Sequence, residues 1–132
     1  MKWRRSSGAS WRFYCVADFK KLLVWQKAHA LALATYGISA YLQQPDAWPL
    51  RDQVFRAAIS IPSNIAEGAG RGSDLDFRRF LLHSLGSCNE LEYDFLLARD
   101  LKFLPPASHS RLAGQLEEVR RMLSGLIESV TA

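Results

Sequence analysis

The chain has 132 residues, 17 Lys and Arg against 13 Asp and Glu, and a formal net charge of +4. This length fits one domain, large enough to bury a core without metals or covalent staples. Two cysteines, Cys15 and Cys88, match neither a zinc spacing nor a disulfide framework, so a secreted cystine-rich scaffold is excluded and a reducing cytosol is the simplest compartment.

The charge is unevenly placed. Lys2, Arg4, Arg5 and Arg12 all precede the first acid, Asp18, so residues 1–17 carry the whole excess and the remaining 13 bases balance 13 acids. These residues read as a basic, aromatic leader (Trp3-Arg4-Arg5 and Trp11-Arg12-Phe13-Tyr14) without helical period. Interleaved bases and aromatics suit phosphate contact and base stacking, or a membrane surface. The plainer reading is an unstructured extension or an overlong translated start. The leader lacks the apolar run of a signal peptide, and the longest uncharged stretch, Ala28 to Pro45, is too short and polar to span a bilayer.

A first helix is expected from Asp18, a plausible N-cap, to Gln44, before Pro45. Leu22, Trp25, Ala28/His29, Ala32, Tyr36 and Ser39 follow the spacing of one face. Ala28 to Leu42 is apolar nearly all round, which implies a second buried surface such as a subunit contact. A second helix is expected from Pro49, with Leu50, Val54, Ala57/Ala58, Ile61 and Ile65 as its stripe, a kink or break at Pro62, and an end by Gly68 to Gly72. Ser73 with Asp76 opens a third helix in the manner of a capping box. Its core face is Phe77, Leu81, Ser84, Cys88, Leu91, Phe95 and Ala98, with Leu75, Leu82, Leu85 and Leu96 as a flanking stripe. After Pro105-Pro106, Ser108 or Ser110 is expected to cap a fourth helix with the seam Leu112, Leu116, Val119, Leu123, Leu126 and Val130. Nothing reads as a strand. Four helices with short connections predict an all-α, antiparallel up-down-up-down four-helix bundle over residues 18–132, with shallow crossing angles.

Catalytic chemistry is hard to find in this pattern. The residues three before His29, His83 and His109 are Gln26, Phe80 and Pro106, so the Glu-x-x-His pairs of two-metal bundles are missing. There is no His-Glu-x-x-His, and Gly68-Ala-Gly-Arg-Gly72 follows a helix and lacks the Lys-Ser/Thr of a phosphate loop. It reads as a helix-helix turn. Ser84 and Ser87 have no base partner and read as close packing beside Gly86. The polar residues around Pro62 have two accounts. Ser63 and Asn64 could cap the groups freed at the proline. Alternatively Ser60, Ser63, Asn64 and Glu67 form a buried network that fixes register or binds a partner. In that case Glu90 and Glu92 would meet Arg56 or Arg78 as counter-charges.

Phe19-Lys-Lys-Leu-Leu-Val-Trp-Gln-Lys-Ala28, Arg56-Ala-Ala-Ile-Ser-Ile-Pro-Ser-Asn-Ile-Ala-Glu-Gly-Ala-Gly-Arg71, Phe77-Arg-Arg-Phe-Leu81, Leu85-Gly-Ser87 and Glu90-Leu-Glu92 carry a resemblance. Together they resemble the four-helix-bundle family of bacterial large-subunit rRNA intervening sequences, over about residues 18–130. The family is related to the accessory variability determinant of diversity-generating retroelements. The resemblance implies a homo-oligomer, typically a five-fold ring. It also implies partners among RNA, DNA and a reverse transcriptase. By position, Arg56, Arg71, Arg78 and Arg79 become candidate basic contacts, with Arg56 read as a structural pair.

The expected function is therefore a non-enzymatic, homo-oligomeric, cytoplasmic bundle acting as a nucleic-acid-binding adaptor. The alternative is a protein-protein scaffold for a partner such as a reverse transcriptase. The nucleic-acid candidates are Arg71, Arg78, Arg79, Arg4, Arg5 and Arg12. The structural polar motif is Arg56, Ser60, Pro62, Ser63, Asn64, Glu67, Glu90 and Glu92. No metal, cofactor or membrane is expected.

Overall fold

The computed structural model describes residues 18–130. Four α-helices account for most of them: α1 (Leu23–Tyr36), α2 (Trp48–Ala69), α3 (Asp74–Asp100) and α4 (Pro106–Val130). No strand occurs among the described residues.

The first helix is shorter than its apolar run predicts. Asp18 does cap, but it caps a 3-10 turn, Phe19–Lys21, by accepting from the Lys20 N–H at 3.0 Å. Leu22 is extended, so α1 proper starts at Leu23. At the other end Gly37 closes α1 and the chain tightens into a 3-10 turn, Ser39–Leu42. That turn keeps Ile38 and Leu42 in the core. The buried face of α1 is Val24, Ala28, Leu31 and Thr35. Of the face expected from sequence, Leu22 and Ala28 are buried, Trp25 and Ala32 are half-buried, and His29 and Tyr36 are exposed. A segment apolar on every side carries no phase, so its period could not select the core face.

α2 passes through Pro62 without a break and continues to Ala69. Proline removes the bond that would reach the Ala58 carbonyl. Ser63 is exposed, and Asn64 instead donates to the Ser60 carbonyl at 2.8 Å. The expected capping by these two residues therefore does not act on the freed group. The helix survives because Ala57, Ala58, Ile61, Pro62 and Ile65 are all buried against the bundle, and packing outweighs one lost bond.

Ser73 accepts from the Asp76 N–H at 3.1 Å and so opens α3 as expected. Every residue of the expected α3 core face is buried. Pro106 is the first residue of α4, where a missing N–H matters least. Ser108 is buried and Ser110 exposed, both inside the helix, so neither is its cap. The expected α4 seam is buried throughout.

Topology follows from cross-helix contacts. Ser60 meets Ser87, Ile61 meets Ser84, and Gly68 approaches Phe80. As numbers climb on α2 they fall on α3, so the pair is antiparallel. α1 packs on both α2 and α4, and α4 packs on α3, which closes a four-cornered bundle around one core. At Gly68 a Cβ would fall 2.7 Å from the Phe80 Cβ, so glycine there sets how closely α2 and α3 approach. Gly72, at φ 82°, makes the turn between them.

Candidate nucleic-acid interface and polar motif

The arginines singled out from sequence gather at one end of the bundle. Arg71 follows the C-terminus of α2, while Arg78 and Arg79 lie in the first turns of α3. The guanidinium groups of Arg71 and Arg79 lie 4.9 and 4.6 Å from the centre of the Phe80 ring. Phe80 itself is buried against Gly68, so the glycine contact anchors the ring on which both cations rest. Neither cation is unbalanced: Arg71 pairs with Glu67 and Arg79 with Asp76, each at 3.3 Å. Arg78 is half-buried. Lys20 and Lys21 lie on the 3-10 turn before α1, which packs against α2. Because α1 and α2 are antiparallel, that turn sits at the same end, where residues 1–17 join the bundle. Arg4, Arg5 and Arg12 lie outside the described residues.

The polar motif divides into two parts. Ser60 Oγ and Ser87 Oγ share a hydrogen bond, Asn64 Nδ2 also reaches Ser60 Oγ at 3.2 Å, and Ser84 Oγ donates to the Ile61 carbonyl at 2.8 Å. They form a polar seam inside the α2–α3 contact, while Pro62 of the same motif is buried and contributes no polar side chain. Arg56, Ser63, Glu67, Glu90 and Glu92 lie outside it, all exposed. Glu92 meets neither Arg56 nor Arg78; it pairs with Arg120 of α4 at 2.8 Å. Arg56 has no ion-pair partner among the described residues.

Arg120 is the residue that sequence reasoning missed. It is 22% exposed and bridges Glu92 and Glu117, at 2.8 and 3.0 Å. Its Nε is buried without a hydrogen-bond partner among the described residues. The Glu117 pair was legible as an i, i+3 spacing. The Glu92 pair, 28 residues away, required the register of α3 against α4. Arg120, Tyr93, Leu96 and Leu116 line a cleft of about 290 Å³ between these helices. Beneath it, burial pushes the Cys88 thiol up to about 12, against a small opposing pull from Arg120. Such a thiol is not a nucleophile at neutral pH. On the α2 side of α3, burial and then the neighbouring Glu90 push the Asp94 carboxyl up to about 6. His29 stacks on Trp25 and His83 lies beside Phe80, so both imidazoles pack on aromatic rings. No group of three or more His, Cys, Asp or Glu that could hold a metal occurs among the described residues.

The family model described as 23S rRNA-intervening sequence protein matches residues 20–125. The chain belongs to that family. A solved structure of a protein of unknown function from the S23 ribosomal protein family of Bacteroides thetaiotaomicron has the same fold. Its TM-score is 0.75 at 23% identity, covering 80% of this chain and 98% of that one. No curated protein matches. The family match runs from the Phe19–Lys21 turn into the last turns of α4, so it takes in the Ser60–Ser87 seam and the Arg71–Phe80–Arg79 cluster alike.

For a member of this intervening-sequence family, the surface bears more apolar side chains than a solvated bundle needs. At the corner where α1 ends and α2 begins, Leu33 is 62% and Trp48 53% exposed, beside exposed Tyr36 and Tyr41. Tyr36 stacks on Phe55 with ring centres 4.4 Å apart. A second apolar group lies on α3. No helix among the described residues is long and apolar enough to cross a membrane.

Proposed function

We propose that this chain is a non-enzymatic, cytoplasmic, homo-oligomeric bundle that binds RNA or DNA as an adaptor. One observation carries the reading: Arg71, Arg78 and Arg79 share the end of the bundle where the net-positive residues 1–17 enter. Exposed ion pairs such as Arg71–Glu67 contribute about 0–1 kcal/mol. Exchanging a carboxylate for a phosphate at these guanidinium groups is therefore energetically open. Arg4, Arg5 and Arg12 would extend the same contact along the strand. The exposed corner of Leu33, Tyr36, Tyr41 and Trp48 supports self-association, and the resemblance suggests a pentamer.

The test is a titration of the full chain with RNA and DNA at several salt concentrations. Phosphate contact predicts affinity falling as salt rises, with a shallower slope after Arg71→Ala or Arg79→Ala, by about one ion per residue. Absence of binding at low salt removes the nucleic-acid role. A monomer in sedimentation at working concentration removes the assembly.

The charge balance of the bundle favours a second reading, a scaffold that holds a partner such as a reverse transcriptase without touching nucleic acid. A pull-down from the native host separates the two, since a scaffold keeps its partner after nuclease treatment.

A further inference from the structure

A groove of about 420 Å³ opens where α1 begins and α4 ends. Leu22, Leu23 and Val24 form one wall and Met122, Gly125 and Leu126 the other, with Ser129 at the end nearest the α4 C-terminus. Every side chain lining it is uncharged. Leu23 and Met122 are only half-buried, and Gly125 is exposed. A Cβ built at Gly125 meets nothing within 4 Å, so the glycine leaves room for a ring beside it. One turn further along α4, Glu118 pairs with Lys27 of α1 at 3.5 Å and bridges the two helices. Leu22 supplies no side-chain cap to α1, so the first N–H groups of that helix, on residues that line the groove, lack a side-chain acceptor.

An uncharged wall selects an apolar occupant, and the chain carries one beside it. Residues 1–17 lie outside the described residues and join the bundle at Asp18. Only the Phe19–Lys21 turn separates that junction from Leu22, whose N–H donates to the Phe19 carbonyl at 2.9 Å. The preceding segment therefore enters within about one helical turn of the groove, ~5 Å. Side chains of an extended segment point alternately to its two edges. In Trp11-Arg12-Phe13-Tyr14-Cys15-Val16, one edge is Trp11, Phe13 and Cys15, and the other holds the base Arg12. Extended, Trp11 to Cys15 spans ~13 Å; along α4, Met122 to Ser129 spans ~10 Å. The lengths match with Cys15 level with Ser129 and Trp11 level with Met122. A tether this short holds the segment at roughly millimolar effective concentration, so a weak contact suffices to seat it.

We infer that residues 11–16 lie extended in this groove, with Trp11, Phe13 and Cys15 against α1 and α4 and Arg12 turned outward. The segment's backbone carbonyls are then at hand for the uncapped N–H groups of α1. Arg12 is held at the same end of the bundle as Lys20 and Lys21, with less freedom left to lose on meeting an anion. The docking needs no nucleic acid, so it goes beyond the proposed function and is decided apart from it.

Limited proteolysis and cross-linking of the full chain, without nucleic acid, test it. Chymotrypsin should cut slowly at Phe13 and Tyr14 in the unaltered chain and about tenfold faster or more in Gly125→Trp, whose ring takes the groove. Gly114→Trp, about three turns away on α4, should leave cleavage slow. A Cβ at either glycine meets nothing within 4 Å, so both variants should keep the helical circular dichroism of the unaltered chain. Under mild oxidation, Ser129→Cys should form a disulfide with Cys15 inside one chain, read from the mass of the denatured product. Ser124→Cys, exposed on the side of α4 away from the groove, should not. Cys88 is buried and does not compete. Equal cleavage of the unaltered and Gly125→Trp chains overturns the inference, as does equal cross-linking at positions 124 and 129. A disulfide formed only between two chains also overturns it, because the groove then receives the segment of a second copy.

Discussion

Replacing Gly68 with alanine sets two effects of opposite sign against each other. In a helix interior the change restricts the unfolded chain and should stabilise by about 0.5–1 kcal/mol. At this position the new methyl would lie 2.7 Å from the Phe80 Cβ, 3.1 Å from Phe77 Cδ1 and 3.3 Å from the Phe77 carbonyl. The first and third of these atoms are fixed to the α3 backbone, so no rotamer change relieves them and the two helices must move apart. Overpacking of this kind costs about 1–3 kcal/mol, which exceeds the gain. The expected net loss is about 1–2 kcal/mol. Gly114, on the exposed face of α4, is the control: a Cβ there meets nothing within 4 Å, so Gly114→Ala should stabilise by about 0.5–1 kcal/mol. Urea unfolding at one protein concentration reads both, because the proposed self-association would make the midpoint concentration-dependent. Equal stabilisation by the two substitutions would refute the close approach of α2 and α3.

Asp94 has a folded-state value of about 6 against an ordinary 3.8, so the native chain holds its proton more tightly than the unfolded one. Stability from this group is therefore present at low pH and declines as pH rises from about 4 through 6. Asp94→Asn should flatten that part of a urea-midpoint profile, and an unaltered slope would argue against the assignment. Cys88, with its thiol pushed up to about 12, should resist a disulfide reagent in the native Cys15→Ser chain and react once urea unfolds it. Arg120→Ala should lower stability by about 1–2 kcal/mol through lost packing and the separated Glu92–Glu117 bridge. The exposure of both carboxylates keeps the effect modest. Thermal melts of Arg120→Ala and Arg120→Met separate packing from charge, since methionine restores only the apolar stem.

The parts of the fold legible in the sequence are those where apolar and polar residues alternate cleanly. The α3 and α4 seams could be read residue by residue because only one face of each supplies a continuous 3–4 repeat of buried type. α1 could not, because Trp25, Ala32 and Tyr36 are as apolar as Val24, Leu31 and Ile38, and only packing against α2 and α4 chooses between them. At Pro62 local chemistry forecasts a kink or break, and burial carries the helix through without the break. Ser84 and Ser87 were read correctly as packing residues, but their partners, Ile61 and Ser60, lie more than twenty positions away and follow only from the α2–α3 register. Arg120 stayed hidden on the same ground. Pairing inside one helix is visible as spacing; pairing between helices is not.

The same distinction bears on the basic end. Spacing alone marks Arg71 with Glu67 and Arg79 with Asp76 as pairs one turn apart, which would count against a free phosphate site. What spacing does not show is that both guanidinium groups also rest on Phe80, whose position is set by Gly68. A cation held on a ring stays in place when its carboxylate turns away, so losing the acid need not cost it its orientation. Preorganised cations lose less side-chain entropy on meeting a phosphate than free lysines or arginines do. The balanced charge of the bundle therefore limits how strongly this end would attract a polyanion from a distance, and under the proposed function the first contact would fall to the basic residues that precede Asp18.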